Sequence, residues 1–259
     1  METILKFKSA PDLLDYMEQC STSGTSKASR AGWPKGVSVI MDILENLPFN
    51  VDLERFRKEF NPAFSGLFFD IGLVCSGVPE FWLDPQPSFN SGSFVTNDPD
   101  DEKRIIKLGL NSSVLPSISP ASIMERGAIL TILAFLLEHT GRSVSITQYC
   151  AVSKYEHTFM GSAVIKAADE PLDVDLLSYW LVCPDSFRQC WLEIIESLPN
   201  AKSFGVSGNK YGYPVIDYGQ EESDVFIKGI LNEKDNWSRQ DSISWICSQL
   251  ESLDITYFS

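Results

Sequence analysis

The stretch from Arg104 to Cys150 constrains the fold more than any other part of the chain. Its hydrophobic pattern predicts a strand over 104–110, a short polar loop, a helix over Pro120–His139 and then a second strand. Residues 127–137 are apolar on nearly every side of that helix, and such a helix is buried on every side. A buried helix between two strands is typical of α/β proteins, so we predict a sheet flanked by helices.

Antiparallel strands are expected beside this unit. The alternating pattern that begins at Ser143 is followed, after a short loop, by a strand over 158–168, which favours a hairpin. The aromatic-rich run Ser65–Gly77 predicts a strand that adds further antiparallel pairs. The predicted sheet is therefore mixed rather than purely parallel.

The N-terminal part predicts a helical extension over residues 1–50, followed by the main α/β domain over residues 51–259. A short helix is expected over residues 9–20 and another over Val37–Asn46. The small, polar segment Ser21–Ser29 between them predicts a flexible loop.

Helix-start signals organise the C-terminal part. Asp173 is placed to cap one helix, and Pro184 is placed to begin the next, because proline is tolerated in the first turn. Ser238 with Asp241 three residues later predicts a capping box for the last helix. A strand is expected within 223–231.

Composition excludes some classes of function. A net charge of −14 argues against a generic binder of phosphate backbones, which needs clusters of Lys and Arg. The six cysteines are scattered without paired spacing, which predicts reduced, buried thiols in a cytoplasmic protein rather than a metal site. The longest apolar run, 127–137, is shorter than the roughly 20 residues of a membrane span, so we expect no membrane association.

Four motifs occur in order over most of the chain: a GWPKG turn, an FDIG strand, an RGAIL helix start and an LDVDLL helix followed by Cys-Pro. Together they resemble an uncharacterised family of tailed-phage proteins. The motifs lie at Gly32–Gly36, Phe69–Gly72, Arg126–Leu130 and Leu172–Leu177. The resemblance implies a phage origin and an intracellular setting, and it implies no activity.

The central unit also resembles von Willebrand factor A-like domains, a Rossmann-like class. In those domains a strand ends in a D-x-S-x-S metal loop, and a long helix and a strand follow. Here LGLNSSV stands at that loop, and EHTGRSVSI matches the turn from helix to strand. Asn111 replaces the aspartate and the serines are compressed to Ser112 and Ser113, and a neutral amide is a poorer Mg²⁺ ligand than a carboxylate. The resemblance therefore implies the fold without a metal or another cofactor.

Two groups of side chains are candidates for binding through strand-end positions. Asn111, Ser112 and Ser113 follow a predicted parallel strand, where α/β sheets bind ligands, and a partner or a phosphate could contact them. We favour the alternative that they form a hydrogen-bonded loop. Asp70 lies in an apolar strand, where an ion pair with Arg126 or Arg30 is favoured over catalysis.

Aromatic and basic residues supply the other candidates. Trp33 lies between glycines and is either an exposed binding residue or, as we favour, an anchor of its turn on the core. A nucleic-acid site would use four local residues, Lys202, Lys210, Tyr211 and Tyr213. The isolated His139 and His157 have no ligand spacing and indicate neither a zinc site nor a triad.

Three hypotheses follow for function. We favour a binding or adaptor protein without enzymatic activity that contacts a phage or host protein during infection, because no catalytic constellation is visible. The second is an accessory protein that binds single-stranded DNA in phage transcription or replication. The third is a hydrolase built on the strand-end loops around Asp70 and Asn111.

Overall fold

The computed structural model describes residues 2–19, 105–139, 141–184, 186–206, 211–232, 234 and 237–253. The predictions that concern the Ser21–Ser29 loop, the Val37–Asn46 helix and the Ser65–Gly77 strand fall outside these residues. So do Trp33 and Asp70, and they remain predictions.

In the described part of the chain a mixed sheet of six strands forms the centre of the fold, with the order β1-β4-β3-β2-β6 and with β5 beside β3. The strand β2 is parallel to both of its neighbours, and β1 is parallel to β4, whereas β3 and β4 form an antiparallel hairpin. The predicted mixed α/β sheet is thus confirmed. The strands are β1 Glu2–Phe7, β2 Ile105–Asn111, β3 Ser143–Lys154, β4 His157–Lys166, β5 Tyr213–Pro214 and β6 Val225–Ile227.

The crossover helix α2, Pro120–His139, has the bounds that the sequence predicts. Its residues from Ala128 to Leu137 are all buried. A helix of this length and hydropathy is long and apolar enough to span a membrane, but 89% of its apolar window is buried inside the protein. Buried core helices have the same composition, and this one packs between β2, β3 and the helical segments that follow the hairpin.

The helical segments after the hairpin pack on the same face of the sheet as α2. The α-helices are α3 Val174–Leu177 and α4 Leu192–Ser197, and π-helical turns span Ser178–Val182 and Ser186–Trp191. Asp173 caps α3, because the amide of Leu176 donates to its carboxylate over 2.9 Å. The sequence predicted the cap, but not the π-helical geometry.

The N-terminal residues belong to the same sheet and core. The helix α1, Ala10–Gln19, is confirmed, and its Leu13 is fully buried in the core. The strand β1 precedes it and pairs with β4, and the sequence reading did not include this strand. The predicted domain boundary between residues 50 and 51 lies outside the described residues.

The last helix, α5 Arg239–Ser252, begins at the predicted capping box. The Ser238 hydroxyl accepts from the amide of Asp241 over 3.2 Å, and the Asp241 carboxylate accepts from the amide of Ser238 over 2.9 Å. Ile243, Ile246 and Leu250 are buried on one face of the helix, as predicted.

Candidate functional site

The strand-end loop Asn111–Ser113 lies at the carboxyl end of β2, between two parallel neighbours. Ligands of α/β sheets usually bind beyond the carboxyl ends of the strands. All three side chains are buried, and Asn111 exposes only 2% of its surface. The position is therefore that of a ligand loop, but its side chains face the protein interior.

The Asn111 amide binds three backbone groups. Its Nδ2 donates to the carbonyl oxygens of Val215 and Tyr218 over 2.9 and 3.1 Å, and its Oδ1 accepts from the amide of Ser113 over 2.9 Å. Both donor hydrogens of the side chain are used in this way. Asn111 thereby fixes the segment 215–224, called here the strap, which runs from β5 to β6.

The two serines bind the neighbouring strand β3. The Ser112 hydroxyl donates to the carbonyl oxygen of Tyr149 over 2.9 Å, and the Ser113 hydroxyl accepts from the amide of Ala151 over 2.7 Å. The Tyr149 carbonyl oxygen also accepts from the backbone amide of Ser112 over 2.8 Å, so the ladder between the two strands continues past β2. The loop is therefore a structural joint between β2, β3 and the strap.

The crevice beside this loop is too small for a phosphate. Its volume is about 20 Å³, which is room for one water molecule. Arg126 lines the crevice, and its guanidinium donates to the carbonyl oxygen of Lys228 over 2.7 Å and stacks on the Trp237 ring at 5.2 Å. Arg126 thus ties α2 to the segment after β6, whereas its predicted partner Asp70 lies outside the described residues.

Ligands for a metal do not converge in the described part of the chain. No group of three or more His, Cys, Asp and Glu side chains with suitable geometry occurs there. Cys150, next to the joint, is fully buried, and this burial raises the pKa of its thiol to about 12. A thiol with so high a pKa is a poor nucleophile and a poor metal ligand at neutral pH.

A basin of about 490 Å³ lies on the sheet face opposite α2, and the sequence reading missed it. Its floor carries Ser145, Thr147 and Tyr149 of β3, and the strap supplies carboxylates at one wall. Glu222 there accepts from Lys6 of β1 over 3.0 Å and from the Tyr149 hydroxyl over 3.5 Å. This ion pair raises the pKa of Lys6, and partial burial raises the pKa of Tyr149.

Among the predicted nucleic-acid residues, Tyr213 pairs with Ser153 near the carboxyl end of β3. Lys202 and Tyr213 are exposed, with 74% of the Tyr213 surface accessible. The Tyr211 hydroxyl donates to the Glu196 carboxylate, and burial together with this bond raises the pKa of the phenol. Lys210 lies outside the described residues. The structure therefore leaves Lys202 and Tyr213 accessible and engages the hydroxyl of Tyr211.

Tyr155 is an exposed aromatic residue that the sequence reading did not select. It stands in the two-residue turn between β3 and β4, exposes 90% of its surface and has a φ of +53°. Lys154 lies over its ring at 5.6 Å, and Tyr213 pairs with Ser153 on the same strand. The sequence did contain a signal for this residue, because a tyrosine occupies a position of the hairpin turn that Gly, Asn or Asp usually takes.

Comparison with protein families gives one match. The model of a domain of unknown function, DUF7192, matches residues 4–257. The chain belongs to the DUF7192 family. No curated protein and no solved structure matched it. Membership of DUF7192 agrees with the resemblance to an uncharacterised family and carries no statement about activity.

Proposed function

We propose that this DUF7192 protein is a phage-encoded, intracellular binding or adaptor protein that contacts a phage or host protein and uses no metal, cofactor or membrane. The observation that carries the proposal is the pair of exposed tyrosines, Tyr155 and Tyr213, at one end of the sheet. Tyrosine is enriched in the few residues that dominate binding energy at protein interfaces.

The backbone of Tyr155 supports a role outside folding. A positive φ costs a bulky residue about 1–2 kcal/mol, and glycine would adopt it without that cost. The side chain contributes little to the core, because 90% of its surface is exposed. A strained, exposed aromatic residue is the pattern expected where binding, rather than stability, requires the side chain.

The test uses a Tyr155→Gly variant, which removes both the ring and the strain. We expect this variant to melt at or above the melting temperature of the unchanged protein. The partner is a protein that the unchanged protein captures from infected cells and also binds when both are purified, and we expect the variant not to bind it. Leu231→Ser is a matched control, because Leu231 is an exposed apolar residue elsewhere, with 40% of its surface accessible. Equal binding by both variants would contradict the proposal.

Single-stranded DNA binding is a second candidate function. Its support is the contact of Lys154 with the Tyr155 ring, together with the exposed Lys202, because such proteins combine stacking aromatics with basic side chains. The net charge of −14 weighs against it. Filter binding at two salt concentrations separates the two candidates. DNA binding would be favoured if the filter retains DNA, if retention falls steeply with salt and if Tyr155→Gly abolishes it.

A hydrolase is the weakest candidate, because the joint engages the polar atoms of Asn111, Ser112 and Ser113 in backbone bonds. We also propose that the centre of the fold is von Willebrand A-like with a degenerate metal loop. The order of parallel strand, strand-end loop, long helix and neighbouring parallel strand supports this proposal. Thermal melting with and without millimolar Mg²⁺ or Mn²⁺ tests it, and a rise of several degrees would revive a working metal site.

A further inference from the structure

The strand β1 forms one edge of the sheet. It pairs with β4 on one side, and among the described residues no strand pairs with its other side. The outward backbone amides and carbonyls of an edge strand are a template for another strand. The side chains of β1 determine which strand fits there.

The side chains of β1 alternate strictly between the two faces of the sheet. Glu2, Ile4 and Lys6 lie on the face of the basin and are exposed, whereas Thr3, Leu5 and Phe7 lie on the helical face and are half-buried. Ile4 exposes 52% of its surface, more than the other exposed large aliphatic side chains of the described part of the chain, Ile105 and Leu231. A charged residue of each sign therefore flanks an exposed apolar residue at equal spacing.

This pattern is complementary to itself. When two copies of β1 run antiparallel about an axis at Ile4, Glu2 of each copy stands opposite Lys6 of the other, and the two Ile4 side chains meet at the axis. Residues directly opposite in an antiparallel pair share a face, with Cβ atoms about 4.5–5.5 Å apart. We propose that β1 pairs with β1 of a second copy of this chain in this register, which joins the two sheets.

The same side chains disfavour the two registers that are centred on a charged residue. A shift that places Lys6 on the axis sets two lysines against each other, and one that places Glu2 there sets two glutamates against each other. A one-residue shift would pair the basin face of one copy with the helical face of the other. Among the registers centred on Glu2, Ile4 or Lys6, the one centred on Ile4 makes both opposed charge pairs attractive.

The existing partner of Lys6 does not block this pairing. Lys6 bonds Glu222 over 3.0 Å, but the two side chains remain 59% and 50% exposed. Such exposed ion pairs contribute little to stability, and an ammonium group has three hydrogens to donate. Lys6 can therefore contact Glu222 of its own chain and Glu2 of the second copy together.

Charge reversal tests the register. Glu2→Lys and Lys6→Glu each replace two attractive pairs by two repulsive ones, so we expect each variant to self-associate about tenfold more weakly than the unchanged protein. A mixture of the two variants restores attraction at both positions, and so does the double variant. Light scattering and sedimentation from about 1 µM to about 500 µM measure the association. Lys8→Glu is the control, because Lys8 lies beyond the paired residues.

Crosslinking provides a second readout. In this register an Ile4→Cys thiol faces its own copy at a distance that a disulfide can bridge, so mild oxidation should yield a covalent dimer. Lys8→Cys and the unchanged protein, which controls for native cysteines, should yield much less. The proposal would be overturned if the protein stays monomeric at every concentration and does not form this crosslink. It would also be overturned if the protein dimerises and neither charge reversal weakens the self-association.

This pairing is independent of the proposed adaptor function. The charge-reversal variants leave Tyr155 and Tyr213 unchanged, and Tyr155→Gly leaves β1 unchanged. Loss of partner capture with intact self-association, or the reverse, therefore shows which of the two proposals fails.

Discussion

Replacing Asn111 by aspartate tests whether the strand-end loop is a structural joint. The change keeps the shape of the side chain but converts a donor into an acceptor. The new carboxylate would face the carbonyl oxygens of Val215 and Tyr218, which stand 2.9 and 3.1 Å from the present Nδ2. Because the side chain exposes only 2% of its surface, water cannot replace the lost donors.

The expected cost follows from the two carbonyls that lose their donor. Each unsatisfied buried group costs about 1–3 kcal/mol, so the loss at pH 7 should be about 2–6 kcal/mol. Burial beside two carbonyl oxygens should raise the pKa of the introduced carboxyl group in the folded state. The protonated acid retains one donor hydrogen, so the loss should be smaller near pH 4 and should grow as the pH rises through the folded pKa.

Urea unfolding at several pH values measures this loss. Asn232→Asp is the matched control, because Asn232 is exposed and only its acceptor oxygen is used, by the amide of Lys234. We expect the control to change the free energy of unfolding by less than about 0.5 kcal/mol. A loss below about 1 kcal/mol for the Asn111 variant at pH 7, well under the cost of two unsatisfied groups, would refute the joint. A gain in melting temperature with Mg²⁺ would instead favour a restored metal site.

Three further predictions concern the core and a helix cap. Leu133→Ala, at a fully buried position, should cost about 2–5 kcal/mol in urea unfolding, whereas Leu231→Ala should cost much less. Gly127→Ala should destabilise the protein despite the better helix propensity of alanine, because the new Cβ would overlap the Leu181 carbonyl group; an unchanged melting temperature would contradict this close packing. The Ser238 bonds lower the pKa of Asp241, so the cap should stabilise α5 above the unfolded pKa and weaken as the pH falls through the folded one, and Asp241→Asn should remove that pH dependence.

The sequence predicted the central unit because its patterns are long and regular. The bounds of α2 follow from twenty consecutive residues with helical composition, and the hairpin follows from alternation in β3. The strand β1 was missed because six residues in which polar and apolar side chains do not strictly alternate are a weak signal. The π-helical turns were missed because a hydrophobic pattern does not distinguish their hydrogen bonds from those of an α-helix.

The role of the candidate site could be predicted only in part. The position of Asn111 after a parallel strand was correct, because it depends on local order along the chain. The partners of its amide could not be predicted, since Val215 and Tyr218 are 104 and 107 positions away. The exposure of Tyr155 likewise depends on what the surrounding fold leaves uncovered.

Asn111 accounts both for the missing carboxylate in the loop and for the position of the strap. A carboxylate at this position could bind a cation but would repel the carbonyl oxygens of Val215 and Tyr218, whereas an amide donates a hydrogen to each. The strap held in this way carries Glu222 to Lys6 and forms one wall of the basin. The residue that makes this loop a poor Mg²⁺ site is therefore the one that holds the strap across the sheet. Metal binding and strap binding are competing uses of one position, and the hydrogen bonds of Asn111 serve the second.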